Sequence, residues 1–340
     1  MTNALEWFAN NASVKVHKAL SVKRSSINDL SSGLGLFVNR ASINLEEAQG
    51  RDTIELLRIP RSSTISIYSI NQIISDKSQY SSEEECNRTL KRVKLANGEF
   101  LATDHVQDIA SESIFLVFYF LVLLLIQGEY EIPKLLKYYM QTVLSTTKVR
   151  STFLCNDSME PLYEHYHSCK FFENVFGLLD SYFEKSFEQT PCSIAMIRQM
   201  FAIVSSRILE IPKEISPNSE NFTTETTLVP LLDFANHDNI LRNAHFDIDR
   251  GTKDILLLLD LPECKDNQKD EFEVFISYSP MEDMMKYRGV YGFVPETNDG
   301  SQYLNIPIER NYLRANPFMN VNMRLFYKWL AINPLIQVIR

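Results

Sequence analysis

Cysteine is scarce and never paired in this sequence. Cys86, Cys155, Cys169, Cys192 and Cys264 are scattered, odd in number and without a C-x-x-C spacing. Neither a disulfide framework nor a zinc ribbon is indicated, and a reducing, cytoplasmic compartment is the simplest home. Glycine and proline are also sparse, 10 and 13 in 340 residues, which excludes collagen-like and low-complexity chains. No period of roughly 20 to 50 residues repeats, so solenoids and propellers drop out.

Positive charge is in deficit. Lysine and arginine number 34 against 43 acidic residues, a formal net charge of -9. A nucleic-acid binder draws affinity from a basic surface that neutralises phosphates, so nucleic acid is not expected as a partner, and a cationic protein fits better. A membrane-length apolar run is missing as well. Ile114 to Ile126, IFLVFYFLVLLLI, is unbroken but falls short of the ~20 residues that span a bilayer, so it predicts a helix buried on all sides. Met1 to Asn11 carries Glu6 and Trp7 and lacks a basic region followed by an apolar one, so no signal peptide is expected. The N-x-S/T matches at Asn11, Asn87, Asn156 and Asn221 are then chance occurrences.

What is present is enough apolar sequence, 45%, to fill the core of one large domain with an insertion or of two domains. Leu5 to Ala19 reads as a short helix and an extended stretch, Ser31 to Val38 as a turn feeding a strand, and Leu56 to Ser66 as a strand running into a loop. From about Thr103 to Leu209 the apolar spacing becomes helical, as in Phe171, Val175, Leu178, Leu179 and Tyr182, or Ile194, Ile197, Met200, Phe201 and Val204. Glu214 to Thr227, polar and containing Pro217, predicts an exposed loop. Strands return at Asn243 to Asp249, at Ile255 to Leu259 and at the alternating Phe272, Val274 and Ile276, joined by turns that imply hairpins rather than a parallel sheet. Met323 to Ile332 predicts a helix ending before Pro334. Strands and helices do not alternate, so the fold class is α+β and not doubly wound.

Three stretches could carry chemistry: Gly33-Leu34-Gly35-Leu36-Phe37, LVPLLDFANHDN at Leu228 to Asn239, and FISYSPMEDMMKYRGVYGFVP at Phe275 to Pro295. Each is bland alone. The G-L-G lacks the third glycine and the following helix of a dinucleotide fingerprint. His165-Tyr166-His167-Ser168-Cys169 has the wrong spacing for metal ligands, because His165 and Cys169 share a helix face that His167 does not, so no metal is expected.

In combination and order the motifs are specific. G-L-G-L-F, L-L-R-I-P-R-S, S-S-R at Ser205 to Arg207, D-F-A-N-H at Asp233 to His237, I-S-Y at Ile276 to Tyr278 and Y-G-F at Tyr291 to Phe293 cover nearly the whole chain. The set resembles the SET-domain methyltransferases typified by the Rubisco large-subunit methyltransferase, a class that includes fungal enzymes acting on ribosomal proteins and cytochrome c. The resemblance implies a SET fold of short hairpins and small sheets with a knot-like packing. Residues 1–102 and 210–312 would be its two parts, 103–209 a helical insertion, and 313–340 the start of a C-terminal helical substrate-binding region. It also implies S-adenosylmethionine as cofactor and a protein presenting a lysine, such as a ribosomal protein or cytochrome c, as partner.

Roles follow from the resemblance position by position. Gly33, Leu34 and Gly35 look like the turn whose backbone approaches the methionine part of the cofactor, and Arg207 like the arginine near its carboxylate, where a guanidinium fork makes two parallel bonds. Asn236 and His237 resemble the pair at the adenine and sulfonium end. Tyr291 and Tyr278 are similar to the catalytic tyrosines. Displacement at a methyl needs an uncharged amine aimed along one axis and shielded from water, which phenols lining a narrow channel supply. A neutral phenol of pKa about 10 is a poor base near pH 7, so loss of the amine proton to water is an equal alternative. The competing structural roles are an ordinary ion pair for Arg207, a neutral core imidazole for His237 and a packing residue for Tyr291. Two departures stand out. Ser279 occupies the place of the family's glycine after Ser-Tyr, and Glu282-Asp283-Met284-Met285 that of its Asn-x-Glu-Leu-Leu. Histidine methylation on the same scaffold, or a non-catalytic module that binds a protein partner, are the alternative functions.

Overall fold

A computed structural model describes residues 3–25, 33–43, 50, 52–104, 106, 111–147, 149, 167–187, 192–214, 222–264, 270–279, 282–284, 287–293, 295, 302–307 and 335–339. The chain divides into two compact units. The first is Met1–Val149 with Val175–Tyr278, and the second is Arg150–Asn174 with Ser279–Arg340.

The first unit opens with helix α1 (Asn3–Asn11), strands β1 (Lys15–Val16), β2 (Leu20–Arg24), β3 (Leu34–Asn39), β4 (Thr53–Ile59) and β5 (Ile65–Ser66). Helices α2 (Ile67–Ser75), α3 (Glu83–Leu101), α4 (Glu112–Ile126) and α5 (Lys134–Tyr139) follow, α5 continuing as a π turn over Met140–Leu144. Next come α6 (His167–Ser186), which belongs to this unit from Val175 onward, and α7 (Ile194–Ser205). The unit closes with β6 (Ile208–Glu214), β7 (Phe222–Leu228), β8 (Asn236–His237), β9 (Ala244–Ile248), β10 (Ile255–Asp260), β11 (Glu271–Glu273) and β12 (Phe275–Ile276).

Its strands form small sheets in the orders β1-β4-β10-β9, β11-β3-β2, β12-β8 and β5-β7-β6. N-terminal strands pair with C-terminal ones: Ile59 faces Ile255 between β4 and β10, and Val38 faces Phe272 between β3 and β11. In β10 the alternate residues Ile255, Leu257 and Leu259 are buried, the period-2 pattern of a half-covered strand.

The apolar run predicted to be a buried helix is α4. Ser111 caps it, and its residues are buried on every side among α2, α3, α7 and β7. Phe118 stacks on Phe100 of α3 with ring centroids 4.3 Å apart and planes 12° from parallel. Among the described residues, no helix is long and apolar enough to cross a membrane.

Three sequence expectations change. The helical block begins at Ile67 rather than near Thr103. The buried positions of α3 are Cys86, Thr89, Val93, Ala96 and Phe100, correctly spaced for a helix but thinly spread in a sequence otherwise rich in charged and polar residues, so the stripe is faint. Its start was nonetheless marked by Ser82, whose hydroxyl accepts from the Glu85 amide, and by three glutamates in the first turn. The polar stretch Glu214 to Thr227 is only partly loop, because Phe222–Leu228 is strand β7, paired with β6 from Ile208↔Leu228 to Glu214↔Phe222. β-branched threonine suits a strand whatever its polarity. Finally, β8 and β12 run parallel, so the C-terminal strands are not joined by hairpins alone.

In the second unit, β13 (Glu282–Asp283) pairs parallel with β14 (Gln302–Pro307), and β14 antiparallel with β15 (Leu335–Ile339). The helix expected over Met323 to Ile332 lies outside the described residues.

Two outcomes check this packing. Phe118→Ala should cost about 3–5 kcal/mol in urea unfolding, the range for emptying a fully buried aromatic site. The β9 to β10 turn should respond to acid. The Arg58 guanidinium donates to Asp249 at 2.7 Å, and with the Thr252 and Gly251 amides holds its carboxyl at about 2. A carboxyl lowered on folding contributes stability that is complete above the ordinary carboxylate range and lost as pH falls toward 2. Asp249→Asn should therefore flatten the fall in unfolding midpoint between about pH 5 and pH 2.5.

Candidate active site

The G-L-G strand, the Asn-His strand and the segment before Tyr278 meet within the first unit. β3 pairs with β11 through Phe37↔Glu273. The chain then gives the Val274 amide to Leu36 O at 2.7 Å and crosses to lie beside β8, with Phe275 facing Asn236 and Ile276 facing His237. Asn236 joins all three. Its Nδ2 donates to Leu34 O at 3.2 Å, a residue 202 positions away, and to the buried Glu273 Oε1 at 2.7 Å. Both N–H groups of the amide are thereby used, which fixes its orientation and leaves its Oδ1 as an acceptor.

Gly35 stands against this pair. A Cβ there would lie 2.2 Å from Glu273 Oε1, 2.9 Å from Glu273 Cδ and 3.1 Å from Asn236 Nδ2, whereas at Gly33 a Cβ would meet nothing within 4 Å. The room at Gly35 is thus filled by the chain's own carboxylate. Buried Asn243 clamps the same crossing, donating Nδ2 to Glu273 O at 2.8 Å and accepting from the Phe275 amide at 3.0 Å. Sequence reasoning passes over Glu273 and Asn243. Glu273 sits at the polar phase of the Phe272, Val274, Ile276 alternation, so its pattern marks it as solvent-facing.

His237 is buried, and its Nδ1 accepts from the Tyr278 amide at 2.9 Å, which puts the proton of the neutral ring on Nε2. The Tyr278 hydroxyl donates to Ala235 O at 3.0 Å, and its ring lies 5.1 Å from the imidazole. Tyr278 is therefore held at both ends by the residues flanking Asn236. Ser277 Oγ adds a bond to Asn239 Oδ1 at 2.7 Å. Among the described residues, positive φ outside glycine occurs at Ser13, Leu231 and Lys253. Ser279 thus takes no left-handed conformation, and the missing family glycine imposes no strain there.

Arg207, just beyond α7, lies against the segment leading into β8. Its Nη1 donates to Asp233 O at 2.6 Å and its Nη2 to Thr147 Oγ1 at 2.7 Å, and Nη1 stands 3.9 Å from Asp233 Oδ2. Tyr139, at the end of α5, donates to Asp233 Oδ2 at 2.6 Å. Burial raises the Asp233 carboxyl above the ordinary range, opposed by the Arg207 charge and by the Tyr139 bond, and burial also pushes the Tyr139 phenol well up. The competing role weighed for Arg207, pairing with a carboxylate of its own chain, is thus present in the fold.

Tyr291 belongs to the second unit, where Tyr-Gly-Phe ends a π turn over Tyr287–Tyr291 rather than a strand. Gly292 closes that turn at φ 79, a conformation glycine takes without penalty, with its amide donating to Tyr287 O at 3.0 Å. The Tyr291 ring lies 5.0 Å from that of buried Tyr287 and 6.1 Å from that of Phe293, and burial raises its phenol above the usual value. The side chains of the His165 to Cys169 stretch, and Met285, lie outside the described residues. No group of three metal-ligating side chains occurs among the described residues.

A mixed α+β fold with small, mainly antiparallel sheets is consistent with an α+β methyltransferase. The family described as cytochrome c lysine N-methyltransferase 1 matches residues 1–340. The cytochrome c lysine N-methyltransferase 1 of Saccharomyces cerevisiae is 35% identical over 344 residues, covering 100% of this chain and 57% of its own length. Those of Kluyveromyces lactis and Eremothecium gossypii are each 30% identical, covering 100% and 98% of this chain and 67% and 68% of their own. The chain belongs to the cytochrome c lysine N-methyltransferase 1 family and spans 57% of the yeast relative's length.

The two glycines of the G-L-G should behave differently. Gly35→Ala should lower stability by about 1–3 kcal/mol, the usual cost of overpacking a closed site, while Gly33→Ala should stay within about 0.5 kcal/mol. Equal effects in denaturant titrations would contradict the close approach at Gly35.

Proposed function

We propose that this chain is an S-adenosylmethionine-dependent protein-lysine N-methyltransferase of the SET type that acts on cytochrome c. The observation that carries the reading is the three-way junction at Asn236, where motif segments from both ends of the first unit share one amide. The names of the relatives supply the reaction and the protein substrate. The SET assignment, with its knot-like packing, its halves at 1–102 and 210–312, its insertion at 103–209 and the opening of a substrate-binding region at 313–340, rests on the motif resemblance. A cytoplasmic location rests on the scattered, unpaired cysteines.

The donor groups present suit the cofactor. Asn236 keeps its amide oxygen, which accepts no hydrogen bond from the described residues, for an ammonium or amino group. Gly33, with open space beside its Cα, and Leu34 offer backbone to a ligand that must come close. The Nε of Arg207 is buried with no hydrogen-bond partner among the described residues, a donor suited to a carboxylate. We assign Gly33, Leu34, Gly35, Arg207, Asn236, His237 and Tyr291 to cofactor binding, with Gly35 acting through its fit to Asn236 and Glu273. Bound S-adenosylmethionine supplies the electrophilic sulfonium methyl.

The catalytic tyrosines are assigned as Tyr278 and Tyr291. Tyr278 is pinned by His237 and Ala235, so its phenol is oriented before any substrate arrives. Tyr291 is given its part on the resemblance. Burial raises its phenol, which keeps it protonated near neutrality, so it aligns the amine as a neutral hydroxyl and the amine proton leaves to water.

Calorimetry with S-adenosylmethionine, followed by label transfer to cytochrome c, tests the proposal. Tyr291→Phe should lose about 100-fold or more in transfer, with a smaller loss of cofactor affinity because the ring is kept and only the hydroxyl is removed. Equal transfer by parent and variant would sink the catalytic assignment, and a chain that binds no cofactor would point to a non-catalytic module. Mass spectrometry of the product peptide distinguishes lysine from histidine methylation.

A further inference from the structure

We propose that Tyr139 and Asp233 are positioning residues for methyl transfer, forming a buried brace that holds the Arg207 guanidinium and the turn leading into Asn236 and His237. The inference rests on the cofactor reading above and extends it to Tyr139 and Thr147 of the helical block, which no motif had singled out.

The brace joins three elements. The end of α5 supplies Tyr139 and the segment just after its π turn Thr147, the segment just beyond α7 supplies Arg207, and the turn Leu232–Phe234 supplies Asp233. The Asp233 side chain is 0% exposed, and its carboxylate accepts the Tyr139 hydroxyl on Oδ2 at 2.6 Å, with the backbone amides of Asp233 and Leu231 also favouring its charged form. Arg207 is nearer to the Asp233 backbone than to its carboxylate, at 2.6 Å against 3.9 Å. Thr147 keeps the other end of the fork, its own proton going to Val143 O at 2.6 Å so that its oxygen can accept from Arg207.

This division of donors matters for the site. With Tyr139 and backbone amides meeting the carboxylate, Arg207 is left to hold the turn by its carbonyl, and its Nε has no partner among the described residues. Without the hydroxyl the carboxylate loses its close side-chain donor, and the Arg207 guanidinium, 3.9 Å away, is drawn toward it and off the Asp233 carbonyl and Thr147. The turn has little tolerance for that. Leu231, fully buried, enters it at φ 73, a conformation leucine adopts only when its surroundings impose it. Three residues after Asp233 the chain reaches Asn236, so a shift in the turn reaches the amide that holds Leu34 and Glu273.

The experiment compares the parent chain with Tyr139→Phe, Asp233→Asn and the double variant. It measures S-adenosylmethionine affinity by calorimetry, KM and kcat with cytochrome c, and thermal unfolding. Each single variant should weaken cofactor affinity and raise cofactor KM about tenfold, with kcat within about threefold. The double variant should also stay near tenfold rather than a hundredfold, because the two groups act through one bond. Both singles binding within twofold of the parent, multiplying effects in the double, or a fall in kcat at unchanged KM would overturn the brace. A parent that binds no cofactor would instead sink the reading of the site itself. Should Tyr139→Phe fail to unfold cooperatively, half-buried Thr147→Val puts the same question from the other end of the fork. It is expected to weaken cofactor binding about tenfold, and binding within twofold would overturn the inference.

Discussion

Glu273 carries a carboxylate into the interior of the first unit, and a buried carboxylate must be met by donors or it unravels what surrounds it. Asn236 meets it, and the consequences organise the site. The amide can reach both Glu273 and Leu34 O only if β3, β8 and β11 converge, and they can converge only if residue 35 has no side chain. A glycine, an asparagine and a glutamate from three distant segments are thus one packing unit. Asn243 repeats the logic on the other side of the crossing, lending its side chain to backbone groups that lack a strand partner.

A second buried carboxylate, Asp233, ties the same segment to the helices. The chain from Leu231 to Tyr278 is therefore anchored by polar contacts at each end and by strands between. Such anchoring suits a site that must be rigid before its ligands arrive, because orientation secured during folding need not be secured again at each turnover. The rings of His237 and Tyr278 are set by hydrogen bonds to backbone, so their placement follows from the course of the strands.

Much of this was legible in the order of residues. The apolar run of α4 announces a buried helix by having no polar face, and the alternation in β10 announces a strand with one covered side. The motifs marked Gly35, Asn236, His237 and Tyr278 as members of one site. Helix α3 and strand β7 were obscured because pattern reasoning weighs hydrophobicity first. In α3 the buried stripe is narrow and set among charged residues, and in β7 threonine carries the β preference without an apolar signal. The Y-G-F segment read as a strand end, whereas it closes a π turn whose rings pack against one another.

By itself the sequence determined the α+β class, the buried helix and the residue types gathered at the candidate site, because periodicity and motif order are properties of the chain alone. Only the tertiary structure decided what those residues touch. Glu273 looks solvent-facing and is buried, Gly35 makes way for a carboxylate of its own chain, and Arg207 braces a turn through Asp233 and Thr147. The physical reason is common to all three. A polar group's role depends on which donors and acceptors remain once water has been excluded, and that is settled by segments as much as 202 residues apart.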